Sequence, residues 1–172
     1  KLELLLEILP GAMAAGRRVL LFSQFTSMLK ILRRQLEAAG YSCMYLDGET
    51  PASQRVDLTN RFNAGETNVF LISLKAGGTG LNLTGADLVI HYDPWWNPTA
   101  EEQATGRAHR IGQTKKVEVL RLVVHNSIEE QVLQMSDRKR RLFDKLITPG
   151  EEMPTRLTEK DILALFDGGL KA

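Results

Sequence analysis

The sequence predicts an α/β domain, a mostly parallel sheet flanked by helices on both faces. Two observations carry this. Short apolar runs alternate with stretches of helical periodicity, and no hairpin turn joins one apolar run directly to the next. A third observation places function in that fold. The unusual stretches "LKAGGTG" and "DPWWNP" each follow an apolar run directly, and open sheets of this kind bind ligands at the C-terminal ends of their strands.

Taken in order, "KLELLLEIL" is apolar at nearly every helical-face position, and Pro10-Gly11 is expected to end or kink that helix. "RRVLLF" reads as a buried strand, with Ser23 capping a helix over 24–39 that Gly40 closes. "YSCMYL" is a second strand leading to Asp47-Gly48. Thr50-Pro51 suits an N-cap and first helical residue for a helix to about Phe62. "NVFLIS" and "DLVIHY" are the third and fourth strands. Asn97-Pro98 starts a helix expected to run to the Ile-Gly stop at 111–112, and "VEVLRLVV" is the last strand. Ser127 and Glu130 form a capping box for a long helix to about Ile147. Residues 148–172 read as a linker, "TPGEEMPT", and a short helix from Thr158. The expected division is therefore 1–147 and 148–172, with no internal repeat.

Bulk composition narrows the function classes. At 172 residues, 43% hydrophobic and 25% charged, the chain suits one soluble domain. A net charge of +1 gives no whole-molecule field for a polyanion, so nucleic-acid binding would have to come from local clusters. The densest are Arg107, His109, Arg110, Lys115, Lys116 and the run Arg138–Arg141. Cys43 is the single cysteine, which excludes an internal disulfide and fits a reducing compartment. His91, His109 and His125 lack zinc-ligand spacing. No signal peptide or membrane-spanning run is visible, so an intracellular location is expected: cytoplasm or nucleoid in a bacterium, nucleus in a eukaryote. The chain begins without Met inside a helical pattern, and is expected to be a piece of something longer.

Three phosphate-binding readings compete. "GAMAAGRR" has the glycine spacing of a Walker A loop, but Arg17-Arg18 stand where Lys and Ser/Thr are needed, and it precedes a strand. "GGTGLN" partly matches a dinucleotide fingerprint, but Leu83 replaces the third glycine. The third reading combines motifs. Glycine-rich backbone after a strand exposes N–H groups, Ser73 and Lys75 add a hydroxyl and a charge, and Gln103, Arg107 and Arg110 share a helical face with forked donors for phosphate. A plainer reading stands beside it, in which the arginines offset a helix macrodipole before a Gly112 cap and Lys75 is a solvated lysine. The chain lacks a Walker A lysine and an acidic magnesium-binding pair after a strand, so it looks like half of a phosphoryl-transfer machine.

The segments "VLLFSQFTSML", "YLDGETPASQR", "VFLISLKAGGTGLNLTGADLVIHYDPWWNP" and "EEQATGRAHRIGQTKKVEVLRLV" together resemble motifs IV, IVa, V and VI of the Swi/Snf-type superfamily-two ATPases. The resemblance covers residues 19 to about 135 and implies the C-terminal RecA-like lobe of an ATP-dependent double-stranded DNA translocase. It implies that Arg107 and Arg110 are arginine fingers, and that Gly80, Asn82 and Gln103 face the nucleotide. Ser23, Gln24, Gly48, Thr50, Ser73 and Lys75 would hold DNA, and Trp96 would be the exposed tryptophan lying against the strand. ATP and Mg²⁺ would be bound mainly by a first RecA-like lobe, which with duplex DNA is the expected partner; DNA-bound proteins are further candidates, and membranes are not. Residues 127–147 resemble the brace helix returning to that lobe. The family often has Asp-Arg where this chain has Gly106-Arg107, so any salt bridge of that Asp is missing. Two other readings remain: a non-catalytic nucleic-acid-binding or scaffold domain of the same fold, and an RNA helicase, which "DPWWNP" and "RAHRIGQ" disfavour. Asp93 reads as a loop-stabilising residue, and 138–141 as a solvated helix face.

Overall fold

The computed structural model describes residues 1–77, 80–110 and 112–146. The expected linker and terminal helix, and residue 147, lie outside the described residues. The elements run α1 (Leu2–Ala14), β1 (Val19–Ser23), α2 (Thr26–Ala38), β2 (Cys43–Leu46), α3 (Ala52–Asn63), β3 (Val69–Ser73), α4 (Leu74–Gly77), β4 (Leu88–His91), α5 (Pro98–Thr105), β5 (Glu118–Arg121) and α6 (Ile128–Leu146). Five strands form one sheet in the order β2-β3-β1-β4-β5, every pairing parallel.

Alternation along the strands divides the core between two faces. Val19, Leu21, Val69, Leu71, Leu88 and Ile90 pack under Leu5 and Leu9 of α1 and Leu29, Leu32 and Leu36 of α2. Leu20, Phe22, Phe70, Ile72 and Val89 face the other way, onto Phe62 of α3, Ala104 of α5 and Leu81, Leu83 and Ala86 of the β3–β4 connection. β1 lies between β3 and β4, so Val19–Ser23 are all buried.

Several helix ends differ from the sequence reading. α1 continues through Pro10 and Gly11 to Ala14. Its buried stripe of Leu5, Leu9 and Ala12 spans the proline, and that packing offsets the roughly 3 kcal/mol cost of an interior proline. Ser23 does not cap α2, whose first residue is Thr26. The Ser23 hydroxyl instead accepts from Phe25 N at 3.1 Å and donates to the Asp93 carboxylate. Pro51, not Thr50, occupies the position before α3, while Thr50 Oγ1 accepts from Asp47 N at 3.1 Å. Asn97 does cap α5, accepting from Thr99 N at 3.1 Å. At α6, Ser127 Oγ accepts from Glu129 N, and Glu130 reaches back to Asn126 N instead of Ser127 N. Ile128, the first residue of α6, is exposed.

The connection between β3 and β4 is fastened to α3 by one side chain. Asn63 Oδ1 accepts from Gly85 N at 2.9 Å and its Nδ2 donates to Asn82 O at 2.8 Å. Position 85 needs glycine for space. A Cβ there would lie 2.8 Å from Asn63 Oδ1 and 3.0 Å from Asn63 Cα. Gly85→Ala is expected to destabilise the chain by about 1–3 kcal/mol in denaturant unfolding, through overpacking against backbone. An unchanged midpoint would show that α3 yields there at no cost.

Candidate functional site

The sheet topology opens a crevice where two connections diverge. After β1 the chain turns to α2 on one face; after β3 it turns to the 74–86 segment on the other. Such a divergence leaves a cleft at the strand ends, the usual ligand position in open parallel sheets. Here it has a volume of about 240 Å³ and is lined by Gln24, Thr26, Lys30, Asp47, Gly48, Glu49, Ser73 and Lys75. Four of the residues singled out for nucleic acid thus converge: Gln24, Gly48, Ser73 and Lys75.

Each is held from behind. The Asp93 carboxylate accepts from Gln24 N at 2.9 Å and from the Ser23 hydroxyl, which fixes the turn after β1. Burial raises the Asp93 pKa, and these two hydrogen bonds oppose the rise. Ser23 is therefore a buried bracket for the cleft and not part of its lining. Ser73, in register with Ser23, is buried too, and its Oγ accepts from Ala76 N at 3.3 Å. Asp47 organises the β2 turn by accepting from Tyr45 Oη at 2.8 Å and Glu49 N at 3.0 Å. Burial would raise the Asp47 pKa, but these bonds and those of Thr50 outweigh it and hold it below the usual carboxylate range. The cleft consequently mixes signs, with Lys30 and Lys75 facing Asp47 and Glu49.

A second cavity of about 340 Å³ adjoins the first through the shared Gln24 and Lys75, and adds Phe25, Leu74, Trp95 and Ala100. Its tryptophan is Trp95. Trp96 is half-buried, with the Lys139 ammonium of α6 4.9 Å from its ring centroid. Neighbouring Arg140 pairs with Glu102 of α5. The basic run of α6 is thus partly spent inside the domain. Thr50 lies elsewhere, in a groove of about 590 Å³ with Arg55, Val56, Gly80, Leu81 and Asn82.

The arginine segment departs furthest from expectation. α5 ends at Thr105, so Gln103, Arg107 and Arg110 do not share a helical face. Residues 106–110 form a turn on the sheet face covered by α3 and α5, where Ala104 and Ala108 join the core. That helix is anchored by Glu101, buried and accepting from Trp95 N at 2.9 Å and Arg121 Nε at 2.7 Å. Arg107 is buried, whereas Gln103 and Arg110 are exposed. Burial lowers the Arg107 pKa, and the nearby charge of Arg110 lowers it further. Two guanidinium groups on one short turn concentrate positive charge of the kind that suits an anion. Leu83 N donates to Arg107 O at 2.9 Å, setting this turn against the loop of Gly80 and Asn82. Gly80 takes φ +58 in the left-handed region, and both it and Asn82 are exposed. Sequence reading missed Asn63, Glu101 and Gln113 as organisers of these loops; Glu101 and Gln113 lay inside the recognised segment "EEQATGRAHRIGQTKKVEVLRLV" without being singled out, and Asn63 lay outside every such segment. Among the described residues no His/Cys/Asp/Glu group suits a metal, and no helix is long and apolar enough to cross a membrane.

The sheet order, the strand-end cleft and the arginine turn beside a glycine loop define the class. Residues 1–112 match the helicase conserved C-terminal domain, and the chain belongs to that family. Its relatives place it with the Swi/Snf-type ATPases. Helicase swr1 of Schizosaccharomyces pombe is 44% identical over 169 residues, which are 97% of this chain and 13% of that protein. The chromatin-remodeling ATPase INO80 of Homo sapiens is 42% identical over 167 residues, 96% of this chain and 11% of that protein. The C-terminal part of the Fun30 ATPase domain superposes with a TM-score of 0.83 at 32% identity, covering 97% of this chain and 51% of that one. The RecA-like C-terminal lobe is thereby the fold of this chain, which spans only about a tenth to a seventh of the two curated relatives' lengths.

Beneath α5, His91 stacks on Phe22 with centroids 5.6 Å apart, and its Nε2 lies 3.1 Å from Thr105 Oγ1. Burial pushes its pKa down to about 4 from 6.5; Glu101 opposes the shift and Arg121 adds to it. Between those values the unfolded chain binds the extra proton, so stability is full above pH 6.5 and falls as pH drops towards 4. The loss should reach about 3 kcal/mol. Unfolding free energies at pH 7 and 4.5 should show this loss in the wild type and a flatter profile in His91→Gln; parallel profiles would place the titration in another group.

Proposed function

We propose that this chain is the second motor lobe of an ATP-dependent double-stranded DNA translocase. In this reading Arg107 and Arg110 meet the γ-phosphate of ATP held by a first lobe, and the strand-end cleft grips the DNA backbone. The observation that carries it is the paired guanidinium groups at 107 and 110, one buried and one exposed, fastened to the loop of Gly80 and Asn82. Relatives are named as ATP-dependent helicases and remodelling ATPases, which supports the nucleotide.

Both guanidinium groups supply charge to the transferring phosphoryl group, Arg110 from an exposed position and Arg107 from a buried one. Gly80 and Asn82 border the same phosphates, with Gln103 at the α5 edge. ATP, with its Mg²⁺ held by the first lobe, supplies the phosphoryl group. Lys75 and Lys30 draw a DNA phosphate to the cleft mouth; Gln24 and Gly48 lie at hydrogen-bonding positions beside it. Thr50 and Trp96 flank the path, and Trp95 and Phe25 offer apolar surface to the sugars. Ser73 lines the floor of the cleft, and Ser23 acts as a support behind it. Backbone contacts of this kind give binding that is independent of sequence and sensitive to salt.

Two measurements test this reading. In the full-length protein, Arg110→Ala should lower DNA-stimulated ATP hydrolysis by about 10³-fold or more while ATP still binds. A near-wild-type rate would mean that Arg110 does not act on the phosphate, and the motor reading of this lobe would fall. Lys75→Ala should weaken DNA binding and reduce the slope of log K against log salt by about 1, in line with one lost phosphate contact. An unchanged slope would remove the cleft from the DNA path.

A further inference from the structure

The turn bearing the two arginines keeps local backbone bonds to the end of α5, Arg107 N to Ala104 O at 3.1 Å and Ala108 N to Thr105 O at 3.0 Å, but these do not tie it to the neighbouring loops. Leu83 N to Arg107 O supplies one bond. Further ties to the neighbouring segments come from Gln113. Its Nε2 donates towards Thr84 O at 3.0 Å, Ala86 O at 2.7 Å and Ala108 O at 3.1 Å. Its Oε1 accepts from Lys115 N at 2.9 Å, and its own N–H donates to Arg110 O at 2.9 Å. One half-buried carboxamide therefore joins the segment after β3, the arginine turn and the approach to β5. Two N–H groups serving three carbonyls is a demanding arrangement, and only a primary amide of this length satisfies all of them and the Lys115 amide together.

We infer that Gln113 is the positioning residue that makes the arginine turn and the Gly80–Asn82 loop one rigid surface. The far side of that loop is already tied to α3 by Asn63, so Gln113 completes a clamp from both sides. Removing the amide leaves Thr84 O, Ala86 O and Ala108 O facing one another without a donor. The turn then shifts relative to the loop, and Arg110 loses its aim while keeping its charge. The inference rests on the proposed role of Arg110.

The test uses the full-length protein and compares Gln113→Ala, Arg110→Ala and the double variant in DNA-stimulated ATP hydrolysis, with ATP affinity and thermal unfolding followed alongside. Gln113→Ala should lower kcat by about 10²-fold, the cost of a misplacement near 1 Å, with ATP affinity retained. In the Arg110→Ala background the same change should cost less than about threefold, because the finger it aims is already gone. Gln113→Met, which fills the space and donates nothing, should reproduce the loss with a lowered unfolding temperature that still leaves the protein folded at the assay temperature. A wild-type rate for Gln113→Ala, multiplicative losses in the double variant, or unfolding of both Gln113 variants would each overturn the inference. If Arg110→Ala is itself silent, the motor reading fails first; if it is impaired while Gln113→Ala is not, only the role of Gln113 falls.

Discussion

The pairing of β1 with both β3 and β4 is the constraint on which the rest depends. A strand hydrogen-bonded on both edges and covered on both faces must be apolar throughout, and Val19–Ser23 are all buried. Because neighbours β3 and β4 are also parallel, each must leave the sheet at the same edge. β1 and β3 leave towards opposite faces, which produces the cleft; β4 leaves through "DPWWNP", which turns the chain back over the sheet as α5. The entry to β1 is fixed by charge: Asp87 Oδ1 accepts from Arg18 N at 3.0 Å and its Oδ2 from Lys115 Nζ at 3.1 Å. The exit is fixed by Asp93. Two carboxylates thus bracket one strand pair.

Buried polar groups carry the connection from this frame to the loops. Glu101 lies inside α5 yet bonds the Trp95 backbone and Arg121 of β5. A buried charge so satisfied contributes little net stability, but removing one partner strands the other in a poorly solvated site, at a cost of several kcal/mol. The tryptophan loop, α5 and the last strand are therefore bound to move together. Asn63 and Gln113 do the same for the glycine loop with neutral amides, where every donor and acceptor has a partner in backbone.

This division separates two surfaces of the lobe. The strand-end cleft collects residues that suit a phosphate backbone, while the turn of Arg107 and Arg110 lies on the face covered by α3 and α5. The chain belongs to the helicase C-terminal family, with relatives such as Helicase swr1 and INO80. Lys75 stands at the cleft directly after β3, and residues 82–86 are pinned beside the arginines by Asn63, Gln113 and the Leu83–Arg107 bond.

The sequence by itself determined the parallel α/β layering, because strand runs of four to five residues and amphipathic helices are encoded by local periodicity. Ser73 and Lys75 were legible beside the glycine-rich stretch after the third apolar run, whereas Gln24 and Gly48 were reached through the family resemblance. The caps were legible only where the side chain had no better partner: Asn97 capped as read, but the Ser23 hydroxyl was claimed by Asp93, seventy residues away. Tertiary structure alone decided the rest. Pro10 stays helical because distant apolar contacts outweigh its local cost. The arginine segment leaves the helix at Thr105 because Leu83 and Gln113 offer its backbone partners outside the helix. Which tryptophan faces the cleft was likewise set by α6, whose Lys139 covers Trp96 and leaves Trp95 to line the cavity. Local pattern specifies what a segment can form; the competition for its hydrogen bonds and surface is settled by neighbours that the pattern does not contain.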